Sequence, residues 1–170
     1  GVWIVNGDEM VESEDLLIAA YDDYLASVAF AEDREAGIST TEQTLIVNRV
    51  GGQDDKWSGT AAQNLTYCVS TGFGSRYNSV VSAMESATAA WEATANVNFT
   101  HVASQDSNCT ARNNNVVFDV NQVNTTQYLA RAFFPSTKRR SRNVLISVSS
   151  FGNISPWTLT GVLRHELGHT

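Results

Sequence analysis

The chain has 170 residues and a formal net charge of −7; 42% of residues are apolar and only 17% charged, so its polarity comes largely from Asn, Ser and Thr. That length can bury a sizeable core, and the acidic balance argues against nucleic acid or an anionic membrane as a partner. No stretch is apolar for long enough to span a bilayer. No signal peptide opens the chain, which starts at Gly1 without Met, so we expect an incomplete or processed N-terminus.

Val2 to Val5 is a short apolar run, and Asn6-Gly7-Asp8 is a turn signal. Ser13 is placed to cap a helix with acidic residues in its first turn. Leu16, Leu17, Ala20, Tyr21, Tyr24, Leu25 and Val28 mark its buried face, and Gly37 its end. Thr44 to Val50 reads as a strand. Residues 51–56 read as an exposed linker, the kind of segment that proteases nick. They separate a first part, 1–50, from a second, 57–170.

In the second part, Leu65 to Val69 reads as a strand. Tyr77, Val80, Val81, Met84, Ala87, Trp91 and Ala95 recur at helical spacing and predict a long helix ending at Asn96. Strands follow at Val97 to Val102, Val116 to Val120, Tyr128 to Phe134 and Asn143 to Ser149. The basic run from Lys138 to Arg142 reads as a solvated loop. Ser155 and Pro156 suit a helix start, as N-cap and first helical residue. Trp157, Leu159, Val162, Leu163 and Leu167 then give that helix a buried stripe. The order is α/β (α+β): a mixed, twisted sheet with a long backing helix and a C-terminal helix.

The last helix carries His165-Glu166-Leu167-Gly168-His169, an HExxH motif. Residues four apart project from one helical face, so His165 and His169 can grip one Zn2+, with Glu166 as general base. A catalytic zinc takes three protein ligands and a water. The chain ends at Thr170, and we expect a third ligand to lie further on. Gly168 is costly in a helix and suggests a need for close packing.

Cys68 and Cys109 belong to no CxxC pair. Either they bridge, closing a long loop in an oxidising compartment, or they stay as reduced buried thiols; we expect the bridge. Sequons at Asn64, Asn98, Asn108, Asn124 and Asn153 carry little weight in an Asn- and Thr-rich chain. Asp106, Asp119 and Asn113 to Asn115 offer oxygens suited to Ca2+, although loop polarity explains them equally. His101 reads as structural, and Trp57 and Trp91 as core aromatics.

Trp157 to Thr170 resembles the active-site helix of bacterial secreted metallopeptidases related to myxobacterial protease B, which are of metzincin type. Asn64 to Val69 resembles the first strand of their catalytic domain. Tyr128 to Pro135 is similar to the edge strand of the related matrixins. The resemblance spans roughly residues 57–170 and implies a zincin-like fold, the fuller signature HExxHxxGxxH and a later Met-containing turn. It also implies an extended peptide substrate along Ala130, Arg131, Ala132 and Phe133. Val5 to Asp8 looks like a relaxed form of the astacin pro-segment motif, with Val5 in place of an aromatic residue. There the Asp8 carboxylate would sit in the zinc position of the water; the other reading is an ordinary turn.

Together these expectations describe a secreted, monomeric zinc endopeptidase, pro-region included, incomplete at its C-terminus. Two alternatives stand beside it. One is a gluzincin-type peptidase with a downstream Glu ligand; the other is a catalytically incompetent peptide-binding module.

Overall fold

The structure, a computed structural model, describes residues 3–5, 9–11, 14, 17, 18, 21 and 48–170. The chain divides into two compact units, Gly1–Val47 and Asn48–Thr170. In the first, β1 (Trp3–Val5) pairs antiparallel with β2 (Glu9–Val11), Trp3 opposite Val11. The expected turn at residues 6–8, and with it Asp8, lies outside the described residues. Glu14, Leu17, Ile18 and Tyr21 are helical, as the periodicity predicts. Tyr21, expected on the buried face, is instead 59% exposed. The rest of that helix and residues 44–47 also lie outside the described residues.

The second unit begins with a hairpin where a linker was expected. β3 (Arg49–Val50) pairs with β4 (Gln53–Asp54) across Gly51 and Gly52. Both glycines have positive φ, +61° and +78°, as tight two-residue hairpin turns require. Asp55 N–H donates to the Asn48 carbonyl just outside the pairing. Residues 48–55 therefore belong to an ordered hairpin, and the unit boundary falls before them.

A short helix, α1 (Gly59–Ala62), leads into β5 (Leu65–Val69). The long helix α2 (Tyr77–Glu92) buries Val80, Ala83, Met84 and Ala87 at 3–4-residue spacing, as predicted. It ends before the expected Asn96. β6 (Phe99–His101), β7 (Phe118–Val123), β8 (Ala130–Arg131) and β9 (Asn143–Ser147) follow. The sheet order is β6-β5-β7-β9-β8. β6, β5, β7 and β9 are mutually parallel, and β8 is an antiparallel edge with Ala130 opposite Ile146. The last helix, α3 (Leu159–His169), packs on α2 and on β8. The unit is thus a mixed sheet with helices. Among the described residues no helix is long and apolar enough to cross a membrane.

The inner parallel strands β5, β7 and β9 are largely buried on both faces, as such strands generally are. Tyr67, Val69, Phe118, Val120, Val144 and Ile146 form one core with Met84 of α2 and Leu163 and Leu167 of α3. Cys68 points to the opposite face, where Cys109 and Val116 cover it. There the expected disulfide joins Cys68 to Cys109, with Cα atoms 5.6 Å apart.

Three other expectations change. The basic run is not a solvated loop at Arg139 and Arg142. Arg139 donates to Asp119 Oδ1 at 2.7 Å and to the carbonyls of Val116 and Asn113. Arg142 donates to the Thr137 and Pro135 carbonyls and lies 4.8 Å above the Trp57 ring. Secondly, the final helix starts later than expected. Thr158, not Ser155, caps it, its hydroxyl accepting from Gly161 N–H at 3.0 Å. Trp157 therefore precedes the helix and is 63% exposed instead of belonging to its buried stripe. Thirdly, β8 has two residues where seven were expected. Past Arg131 the chain leaves β9, and Phe133 turns into the core against Phe118, ring centroids 5.5 Å apart.

Candidate metal centre

Helix α3 brings the two histidines together. Their Nε2 atoms lie 3.3 Å apart, and their rings stand at 80° with centroids 5.0 Å apart. Two nitrogens on a tetrahedral zinc, each about 2.0–2.1 Å from the metal, sit about 3.3–3.4 Å apart. The separation therefore fits a shared zinc, and it is long for a hydrogen bond between rings. His165 is exposed and His169 half-buried, which leaves the pair accessible from solvent. Glu166, next in sequence, is only 3% exposed, which shields its carboxylate from bulk water. Among the described residues no group of three or more His, Cys, Asp or Glu is arranged to hold a metal, so within them the pair supplies two ligands.

The helix carrying the pair is held from two sides. On α2, Trp91 Nε1–H donates to the Arg164 carbonyl at 2.7 Å, one residue before His165. The Trp91 ring also fills the space beside Gly168. A Cβ there would lie 2.9 Å from Trp91 Cζ2. This is the close packing that Gly168 suggested in the sequence, and Trp91 does more than fill a core. On the sheet side, Phe134 meets His169 edge to face, at 84° and 5.9 Å between centroids. Sequence reasoning missed Phe134 as part of the site; its only signal was its place within the edge-strand motif, next to Phe133.

The four expected substrate residues are placed unequally. Ala130 is 2% and Phe133 5% exposed, so both side chains belong to the core. Arg131 and Ala132 are half-buried, and Arg131 Nη2 lies 3.4 Å from Asn143 Oδ1. Among the described residues β8 pairs only with β9, so its outer edge can meet an extended peptide through backbone groups.

The oxygens considered for Ca2+ have protein donors. Asp106 accepts from Val69 N–H at 2.8 Å, from the Tyr77 hydroxyl and from His101 Nε2 at 3.0 Å. His101 is accordingly structural, and it stacks on Tyr67 at 5.2 Å. The hydrogen bond to Asp106 pushes the Tyr77 hydroxyl up to about 12. Burial pushes Tyr67 up to about 12 as well, with nearby Glu85 adding to it. Asp119 meets Arg139 and Asn121, yet burial outweighs both and moves its carboxyl upward. Asn113 Oδ1 accepts from Asn115 N–H, closing the loop on itself.

Compared with known protein families and with curated proteins, the chain matches none at a significant level. The functional argument therefore rests on the site.

Proposed function

We propose that this chain carries the N-terminal part of a zincin catalytic unit of metzincin type. It would act as a secreted zinc endopeptidase, with residues 1–50 as a pro-region. The observation that carries the reading is the 3.3 Å separation of the His165 and His169 Nε2 atoms beside a buried Glu166. Held by His165 and His169, zinc would supply Lewis-acid activation of a peptide carbonyl and of water. Glu166 would hold the water's proton and deliver it to the leaving amine. β8 orients the peptide by backbone pairing, which demands little of its sequence. The Cys68–Cys109 bridge supports an oxidising, extracellular setting. Asp8 remains the pro-segment candidate for a carboxylate ligand that holds the site inactive.

The outer edge of β8, which among the described residues pairs only with β9, also suits a second reading, a peptide-binding module without activity. Zinc competition against a chromophoric chelator, paired with casein hydrolysis by the complete catalytic unit, separates the two. The endopeptidase requires zinc binding that His165→Ala or His169→Ala abolishes. It also requires a Glu166→Gln variant that binds zinc but cleaves about 10²–10⁴-fold more slowly. Equal cleavage by Glu166→Gln refutes the mechanism. Zinc binding without cleavage selects the module.

A further inference from the structure

His169 lies on α3, one helical turn from His165, and is half-buried. A zinc ligand needs its lone pair aimed within about 10–20°. Outside its own helix His169 makes a ring contact with Phe134, and Phe134 is itself held. Phe134 to Thr137 forms a β-turn: Thr137 N–H donates to the Phe134 carbonyl at 2.8 Å, with Pro135 at the second position. Phe134 N–H donates to Thr137 Oγ1 at 3.2 Å. Arg142 grips the turn through the Pro135 and Thr137 carbonyls.

The remaining grip comes from the hairpin that opens the second unit. Asp55 accepts from Ser136 N–H at 2.9 Å and from the Ser136 hydroxyl at 2.7 Å. Asn48 Nδ2 donates to the same carboxylate at 2.9 Å. A segment 81 residues earlier in sequence thus fixes the turn whose first residue abuts His169.

We propose that Phe134 is a positioning residue for His169, and that the Asp55–Ser136 clamp holds Phe134 in place. The hairpin at residues 48–55 thereby tunes the metal site through the turn at Phe134 to Thr137. This rests on the zinc reading for its consequence but not for its geometry. Coupling along such a chain needs a direct measurement.

The experiment uses the whole chain and two readouts. One is the mobility of the metal-free His169 ring, from NMR relaxation of its ring carbons. The other is Zn2+ affinity by chelator competition. Phe134→Ala should free the ring and weaken zinc about tenfold, the range seen when a ligand's support is removed. Phe134→Tyr should restore both, and Phe134→Leu, which keeps apolar bulk without the ring, should not. Asp55→Asn should weaken zinc about 2- to 5-fold, and add nothing in the Phe134→Ala background. The Leu and Tyr variants decide the matter if the Ala variant misfolds. Wild-type ring mobility and zinc affinity in Phe134→Leu overturn the role of Phe134. Additive effects of Asp55→Asn and Phe134→Ala overturn the clamp. If His165→Ala binds zinc as wild type does, the zinc reading fails, while ring mobility still decides the role of Phe134.

Discussion

Gly168→Ala tests the packing of the motif helix. The new Cβ would sit 2.9 Å from Trp91 Cζ2, against 3.4 Å for the onset of ordinary contact, an overlap of about 0.5 Å. A flexible side chain would absorb that. Trp91 is a rigid ring tied close to Cζ2 by the 2.7 Å bond from its Nε1 to the Arg164 carbonyl. Moving the ring risks that bond, which contributes about 1 kcal/mol. Overpacking adds about 1–3 kcal/mol. Against both stands the helix preference for Ala over Gly, about 1 kcal/mol. The net expectation is a loss of about 1–3 kcal/mol, a Tm drop of roughly 4 °C per kcal/mol in a unit of this size. The control is Trp91→Leu, which removes the obstacle. In that background Gly168→Ala should be neutral or stabilising, because only the helix preference remains. Thermal unfolding of the four proteins closes a double-mutant cycle. A higher Tm for Gly168→Ala alone, or the same drop in both backgrounds, refutes the reasoning.

Other expectations follow from the same structure. The disulfide closes a loop of sequence separation 41, for which chain entropy alone predicts about 4 kcal/mol; Cys68→Ala with Cys109→Ala should lower the urea midpoint accordingly, and an unchanged midpoint contradicts the bridge. Arg139→Lys should lose most of what Arg139→Ala loses, about 3–5 kcal/mol, because one ammonium cannot reach Val116, Asp119 and Asn113 together and Asp119 is left buried; denaturant unfolding measures both. Tyr67 and Tyr77 both titrate near 12 when folded instead of near 10. Their folded values are raised, so their contribution to stability is complete below pH 10 and is lost as pH rises through 12. Alkaline unfolding followed by phenolate absorbance should be shallower in Tyr77→Phe, and an identical profile would contradict the Asp106 hydrogen bond.

Local signals were legible where one face of one element decides the structure. Leu65 to Val69 and Tyr77 onward read correctly because alternating or helical apolar spacing commits those residues to the core. The histidine pair was legible for the same reason, since spacing of four on a helix fixes their relation without reference to the rest of the fold. Where two local signals compete, the sequence was ambiguous. Ser155-Pro156 and Thr158 both suit a helix start, and Thr158 is the one whose hydroxyl meets an amide of the first turn, Gly161. The edge strand is short because Phe133 finds more burial beneath the sheet than beside it. Period-two patterning does not weigh that choice.

What supports the histidines was not legible, and the reason is separation along the chain. Trp91 lies 73 residues from Arg164, and Asp55 lies 81 from Ser136. A basic run reads as solvated until Asp119, 20 residues from Arg139, is found buried beside it. In each case the sequence shows one partner with an unexplained property: a glycine inside a helix, an acid in an apparent linker, or an arginine in a polar loop. Gly168 was the one residue whose local cost was large enough to betray its partner in advance. The same logic ranks the site residues. On the zinc site proposed above, ligand identity follows from spacing and ligand aim from Trp91 and Phe134, so substitutions there should alter zinc affinity while leaving the motif intact.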